Sequence, residues 1–252
     1  MKTILNSLIF ILTFTISLNA QNEYKIGAIG FYNFENLFDT LDTPNKIDED
    51  FTPMGALKWN TEHYQEKIGN LAKVISEVAT NRTPDGLALL GVAEIENQSV
   101  LEDFVNHPLI SKRNYKIVHY ESPDVRGIDV ALLYQEKYFK LKSSKKMPLL
   151  IHDDNGDRIY TRDILLVEGM YDGDLMYVMV NHWPSRRGGE EASQPYRNAA
   201  ALLCKNTSDS ILAQHPEAKI IIMGDLNDDP VSPSVSKIIR AKKKANSVKA
   251  NG

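Results

Sequence analysis

Cysteine is nearly absent from this sequence. Cys204 is its single copy, so no intrachain disulfide forms and a Cys-rich metal site is excluded. No His-x-x-x-His pair occurs, so a catalytic zinc site lacks its usual ligands. No Gly-x-Ser-x-Gly elbow is present, which weakens a serine-hydrolase reading. Beyond the first twenty residues there is no second long apolar run, no internal repeat and no low-complexity linker. Histidine stops early as well: His215 is the last in the chain.

What remains is ordinary for a folded domain. Hydrophobic residues make up 42% of the 252 and charged residues 25%. Residues 1–20 begin with Lys2, continue through a short apolar core and end on Ala20, the pattern of a removable secretory signal peptide. The run is short for a membrane span of ~20 apolar residues. The mature chain is therefore expected to be secreted or periplasmic, not inserted in a membrane, and monomeric. Residues 237–252 carry six of the basic residues and no acid, and read as a basic, helix-like tail on the domain at 21–236. Without the seven cations of leader and tail, the formal charge falls from −4 to about −11. An acidic body steers weakly toward nucleic acid.

Apolar, β-branched runs of strand length recur at Tyr24–Phe31, Gly86–Ala93, Tyr115–Tyr120, Ile128–Tyr134, Ile164–Val167, Leu175–Val180 and Lys219–Met223. Tyr64, Ile68, Leu71, Ile75 and Val78 fall at helical spacing behind Asn60 or Thr61 as caps. A second helix is expected from about Pro195 to Ala213, with Ala199, Leu202, Leu203 and Ile211 as its apolar face. Asn155-Gly156 reads as a hairpin turn, without the spacing or closing Glu of a calcium loop. The expected architecture is a two-sheet α/β sandwich in one domain.

The informative pattern is where the polar residues fall. Four apolar strands run into Asn33, Glu94, Asn181-His182 and Asp225-x-Asn227. Each alone passes as a turn residue or a structural histidine. Together they place carboxylates, carboxamides and one imidazole at strand ends, where ligand sites are commonly built. Glu94 and Asp225 are hard oxygen ligands suited to Mg²⁺ or Mn²⁺, and Asn33 offers a neutral oxygen or a partner for metal-bound water. Asn227, two residues beyond Asp225, is expected on the same face of an extended backbone. His182 can protonate a leaving oxygen or bond a phosphoryl oxygen. Arg186 and Arg187, beside Gly188-Gly189, can approach an anion. The set suits metal-assisted phosphoester hydrolysis.

Five ordered segments carry a resemblance: Phe31-Tyr32-Asn33-Phe34-Glu35-Asn36-Leu37-Phe38-Asp39, Val92-Ala93-Glu94-Ile95-Glu96-Asn97, Arg126-Gly127-Ile128-Asp129-Val130-Ala131-Leu132-Leu133-Tyr134, Asn181-His182-Trp183-Pro184-Ser185-Arg186 and Gly224-Asp225-Leu226-Asn227. They resemble the motifs of the endonuclease/exonuclease/phosphatase superfamily, the deoxyribonuclease-I-like fold, and most of all its secreted bacterial nuclease-like members. The resemblance implies Glu94 as the Mg²⁺ (or Mn²⁺) ligand and Asn33 in the metal-site water network. It implies His182 on the scissile phosphate as a candidate general acid, and Asp225 with Asn227 on the attacking water. Arg126 and Arg186 are implied as phosphate contacts, and Asp129 and Tyr134 as structural. It implies a nucleic acid substrate cut as by an endonuclease. The alternatives are a phosphatase or phospholipase acting on inositol phosphates or sphingomyelin, or a non-catalytic binding protein on the same scaffold. Two departures stand out. Ala93 replaces the Gln that usually precedes the metal Glu, and no Ser-Asp-His motif follows Asn227. The chain is thus expected to lack the last strands and a second catalytic histidine, and to have little activity.

Overall fold

The computed structural model describes residues 26–242. The leader at 1–20 and most of the tail at 237–252 lie outside them. Two four-stranded sheets stack face to face, each covered outside by helices. In the first sheet the order is β1 (Ala28–Leu37), β2 (Leu87–Ile95), β4 (Asp129–Gln135), β3 (Tyr115–His119). In the second it is β10 (Lys219–Asp225), β9 (Asp174–His182), β8 (Ile164–Tyr171), β5 (Phe139–Met147). Only the pairs β1–β2 and β10–β9 are parallel.

The core follows the layers. Leu89, Leu132, Leu165, Val178 and Val180 fill the space between the sheets. The outer face of the first sheet packs on α1 (Thr61–Glu77) and α2 (Gln98–Asn106) through Phe34, Ile68, Leu90, Val92 and Phe104. The outer face of the second packs on α3 (Glu190–Gln214) through Tyr177, Met179, Trp183, Ala200 and Cys204. Central strands buried on both faces read as continuous apolar runs, which is why they were visible in the sequence.

The expected sandwich is present, with local differences. Asn60 does cap α1, its side chain accepting the His63 N–H at 3.0 Å. The 153–157 segment does turn a hairpin, between β6 (Ile151–His152) and β7 (Arg158–Ile159). Two elements went unread. β5 is an edge strand with a mostly exposed, Lys-rich surface, and it offers no apolar run. α2 is short and starts inside the Glu94–Asn97 motif, with Asn97 as its cap. The second helix begins five residues before Pro195, because the Ser193 hydroxyl and the Arg197 guanidinium bond the carbonyls of Gly189 and Glu190 and stabilise that first turn. Its buried face is Ala200, Ala201, Cys204 and Ile211, while Leu202 is 51% exposed. The boundary at 236 cuts through a π-helical turn, Ser234–Ile239, whose Val235, Ile238 and Ile239 pack on the α3 core. Arg240 in the left-handed region ends that turn.

Arg197 and Asp228, both fully buried, pair at 2.7 Å and tie the segment after β10 to α3. Removing Arg197 leaves Asp228 with Arg186 at 3.6 Å and hydrogen bonds from Gln194 and Ser234, so the cost falls at the lower end of the range of about 3–5 kcal/mol for a broken buried pair. Arg197→Met is therefore expected to lower urea-unfolding stability by about 3 kcal/mol, and a loss under about 1 kcal/mol would contradict this role.

Candidate active site

The strand ends that look unremarkable singly meet at one edge of the sandwich. β1 and β2 approach from the first sheet, β9 and β10 from the second. Ligand atoms of Glu94, His182 and Asp225 lie within 4.8 Å of one another. His182 Nε2 is 3.6 Å from Glu94 Oε1. Asn33 stands between the carboxylates: its Nδ2 donates to Glu94 Oε1 at 3.1 Å and to Asp225 Oδ2 at 3.2 Å.

Local backbone distortion aims these groups. Glu94 sits at a shift in the β2–β4 register with φ 57°, in the left-handed region. The bulge breaks the period-2 alternation. Val92 and Ile95 both enter the helix-side core, Ala93 enters the inter-sheet core, and Glu94 is turned off the sheet. Such a conformation costs about 1–3 kcal/mol and persists only where the surrounding packing dictates it. On β10 the constraint falls on Gly224, at φ 150°. A Cβ there would lie 2.1 Å from the Asn181 carbonyl oxygen, so only glycine lets Asp225 come this close to β9.

His182 closes β9, and its main-chain carbonyl is held by Arg162 Nε at 3.2 Å. Burial lowers its pKa to about 2, with Arg162 and Arg126 adding to the effect. The imidazole is neutral at pH 7, and its buried Nδ1 has no hydrogen-bond partner. A neutral imidazole donates one N–H but holds no spare proton, which narrows the general-acid role expected for it. Asp225 accepts from Asn33 on one oxygen and from the Asn227 N–H on the other, at 3.0 Å.

Two further expectations are corrected. Asn33 does not present an oxygen to the carboxylates. Its Oδ1 accepts the Glu35 N–H at 2.8 Å, and its Nδ2 bridges the two acids. Asn227 is not on extended backbone but in the left-handed region, at φ 49°, in an Asx turn. Its Nδ2 donates to the Trp183 carbonyl at 2.9 Å, and this keeps it beside Asp225.

Among the arginines the structure separates what the sequence grouped. Glu94, His182, Asp225 and Asn227 line a cleft of about 460 Å³ with Arg126, Arg162 and Arg187. Arg126 is half exposed and loosely held by Asp124 at 3.7 Å. Arg186 faces away: it bonds the Asn227 carbonyl at 3.0 Å and Asp229 at 2.9 Å, with Glu190 at 3.4 Å. It holds the turn after β10 and does not line this cleft, whereas its neighbour Arg187 does. Arg162 was missed. Buried against Asp124 at 3.1 Å and donating to the Trp183 carbonyl, it anchors the His182–Trp183 backbone. Nothing in its local sequence marked it, since its partners lie far along the chain. Asp129 is structural, bonded by the Ser122 N–H and by His119 at 3.0 Å.

These features define a two-sheet sandwich with a carboxylate–imidazole cluster at one edge and cationic side chains around it. The chain belongs to the endonuclease/exonuclease/phosphatase family, whose model matches residues 28–251. No curated protein matches it. Among solved structures, ANGEL2, a 2′,3′-cyclic phosphatase, is similar with TM-score 0.51 and 20% identity over 69% of this chain and 47% of that one. A D. rerio TDP2 humanized by 14 mutations gives TM-score 0.51 at 12% identity over 82% and 64%. A truncated Caenorhabditis elegans TDP2 gives 0.48 at 22% identity over 69% and 60%. The chain spans less than two thirds of each of these structures.

Just beyond the cluster, Glu96 is 4% exposed and accepts from the Asp39 N–H and from Thr43 Oγ1. Burial raises its pKa to about 7 despite those hydrogen bonds. The folded state therefore holds a proton that the unfolded chain has released, and stability falls as pH rises from about 4.5 through 7. After allowance for solvent screening the loss is about 1–2 kcal/mol. Urea midpoints at pH 5 and pH 8 are expected to differ less in Glu96→Gln than in the parent, and identical differences would rule out this burial effect.

Proposed function

We propose that this protein is a divalent-metal-dependent phosphodiester hydrolase of nuclease type, acting on nucleic acid outside the cytoplasm. The observation that carries the reading is the convergence of Glu94, His182 and Asp225, bridged by Asn33, in a cleft that also holds Arg126 and Arg187. The donor set fits a hard cation: two carboxylates whose mutual repulsion a single carboxamide only partly offsets, and no thiolate. Glu94, with Asp225 beside it, would hold Mg²⁺ or Mn²⁺, which when bound supplies Lewis-acid stabilisation of phosphoryl charge.

The chain's own groups divide the remaining work. Asp225, fixed by Asn33 and the Asn227 N–H, is placed to orient an attacking water and take its proton. Neutral His182 donates its N–H to a phosphoryl oxygen. Arg126 and Arg187 draw the anionic diester into an otherwise acidic body. Among the described residues His182 is the only histidine lining this cleft.

The test is nicking of supercoiled plasmid by the purified chain with Mg²⁺ or Mn²⁺. Metal-dependent nicking that falls at least about a hundredfold in Asp225→Ala is expected. Nicking unchanged in that variant would place the chemistry elsewhere, and turnover of inositol phosphates or sphingomyelin in preference to DNA would overturn the nuclease assignment.

A further inference from the structure

A second concavity, of about 390 Å³, opens between β1 and α1 and uses none of the groups assigned to the reaction except Asn33. That volume lies in the small-ligand range of roughly 300–1,000 Å³. Asn33, in its lining, bonds both Glu94 and Asp225, so the groove lies beside the carboxylates although it shares no lining residue with the catalytic cleft. Its walls are of two kinds.

One wall is aromatic. Trp59 is half-buried and fixed: its Nε1–H donates to the Phe38 carbonyl at 3.0 Å, and its ring lies between Phe51 and His63 at 6.1 and 6.0 Å. Tyr32, on β1, is 37% exposed and packs edge-on against Phe34 at 6.1 Å. Fixed rings with exposed area are suited to stacking a planar ligand at low entropic cost.

The other wall is charged. Lys67, on α1, is half-buried and makes no hydrogen bond or ion pair of its own among the described residues. Burial lowers its pKa, while Glu35 and Glu94 act on it through space in the opposite sense. A partly desolvated ammonium without a bonded partner, next to a phosphodiester-type site, is an anion contact in waiting. Glu35 and Glu66 also line the groove. Their charge suits a phosphodiester monoanion better than a dianionic terminal phosphate.

We propose that this groove is a nucleotide subsite, in which Trp59 and Tyr32 seat the base next to the cleaved bond and Lys67 Nζ donates to the adjacent phosphodiester. The inference rests on the hydrolase reading above and adds to it where a nucleic acid strand leaves the catalytic cleft.

The test titrates the full chain, in Mg²⁺, with a hydrolysis-resistant phosphorothioate-linked trithymidylate and follows tryptophan fluorescence. Trp183 is fully buried, so Trp59 reports on the groove. Saturable quenching is expected, with the Kd weakened about tenfold or more in Lys67→Met and restored to within about threefold in Lys67→Arg. Unchanged thermal unfolding of both variants excludes a folding defect. Binding that is equal in Lys67→Met and the parent, or that proceeds without quenching, overturns the subsite and leaves Asp225-dependent nicking untouched. Lys67-dependent quenching in a chain that nicks no plasmid supports the groove and sinks the catalytic reading instead.

Discussion

The Asn33 side chain holds together two groups that otherwise repel. Glu94 ends a strand of one sheet and Asp225 a strand of the other, and both carboxylates receive the same amide nitrogen. Two carboxylates with oxygens under 5 Å apart repel each other. One bridging amide offsets part of that. The rest is left as a standing preference for a cation. Everything else at this edge of the sandwich maintains the approach: the bulge at Glu94, the glycine at 224, and the Asx turn that takes the second oxygen of Asp225.

Around that centre the protein sorts its basic side chains by burial. Arg162 and Arg197 are interior groups whose charge is spent on Asp124 and Asp228, and they fix the backbone behind the site. Arg186 fastens the turn after β10 from outside. Arg126 and Arg187 line the catalytic cleft and Lys67 the groove beside β1, and the side chains of none of the three hydrogen-bond a carboxylate among the described residues. The same residue type thus differs in setting according to whether a carboxylate has already claimed it, as the adjacent Arg186 and Arg187 show.

Much of this was legible beforehand because the strands that carry the site are apolar runs, the inner strands β2 and β9 and the outer strands β1 and β10 alike. Their apolar runs mark them, and a polar residue at the end of such a run has few structural reasons to be there. β5 and α2 were not legible, since an edge strand and a nine-residue helix carry little periodic signal. The settings of Asn33, Asn227 and Arg186 were not legible for a different reason. Which end of an amide faces a carboxylate, whether a residue leaves the strand through a left-handed turn, and which acids surround a guanidinium are set by tertiary contacts. The groove beside β1 was invisible, because Tyr32, Trp59 and Lys67 come from three separate segments. Ala93, where the resemblance implies Gln, is packed between the sheets.

The central claim is that the paired carboxylates, as held by Asn33, form a cation site. Calorimetric titration of the chain with Mn²⁺ addresses it without reference to substrate or turnover. Saturable one-site binding is expected, lost in Glu94→Gln and weakened about ten- to a hundredfold in Asn33→Ala, where the positioning bond is removed but the acids remain. Binding of equal strength in the parent and Glu94→Gln would contradict it.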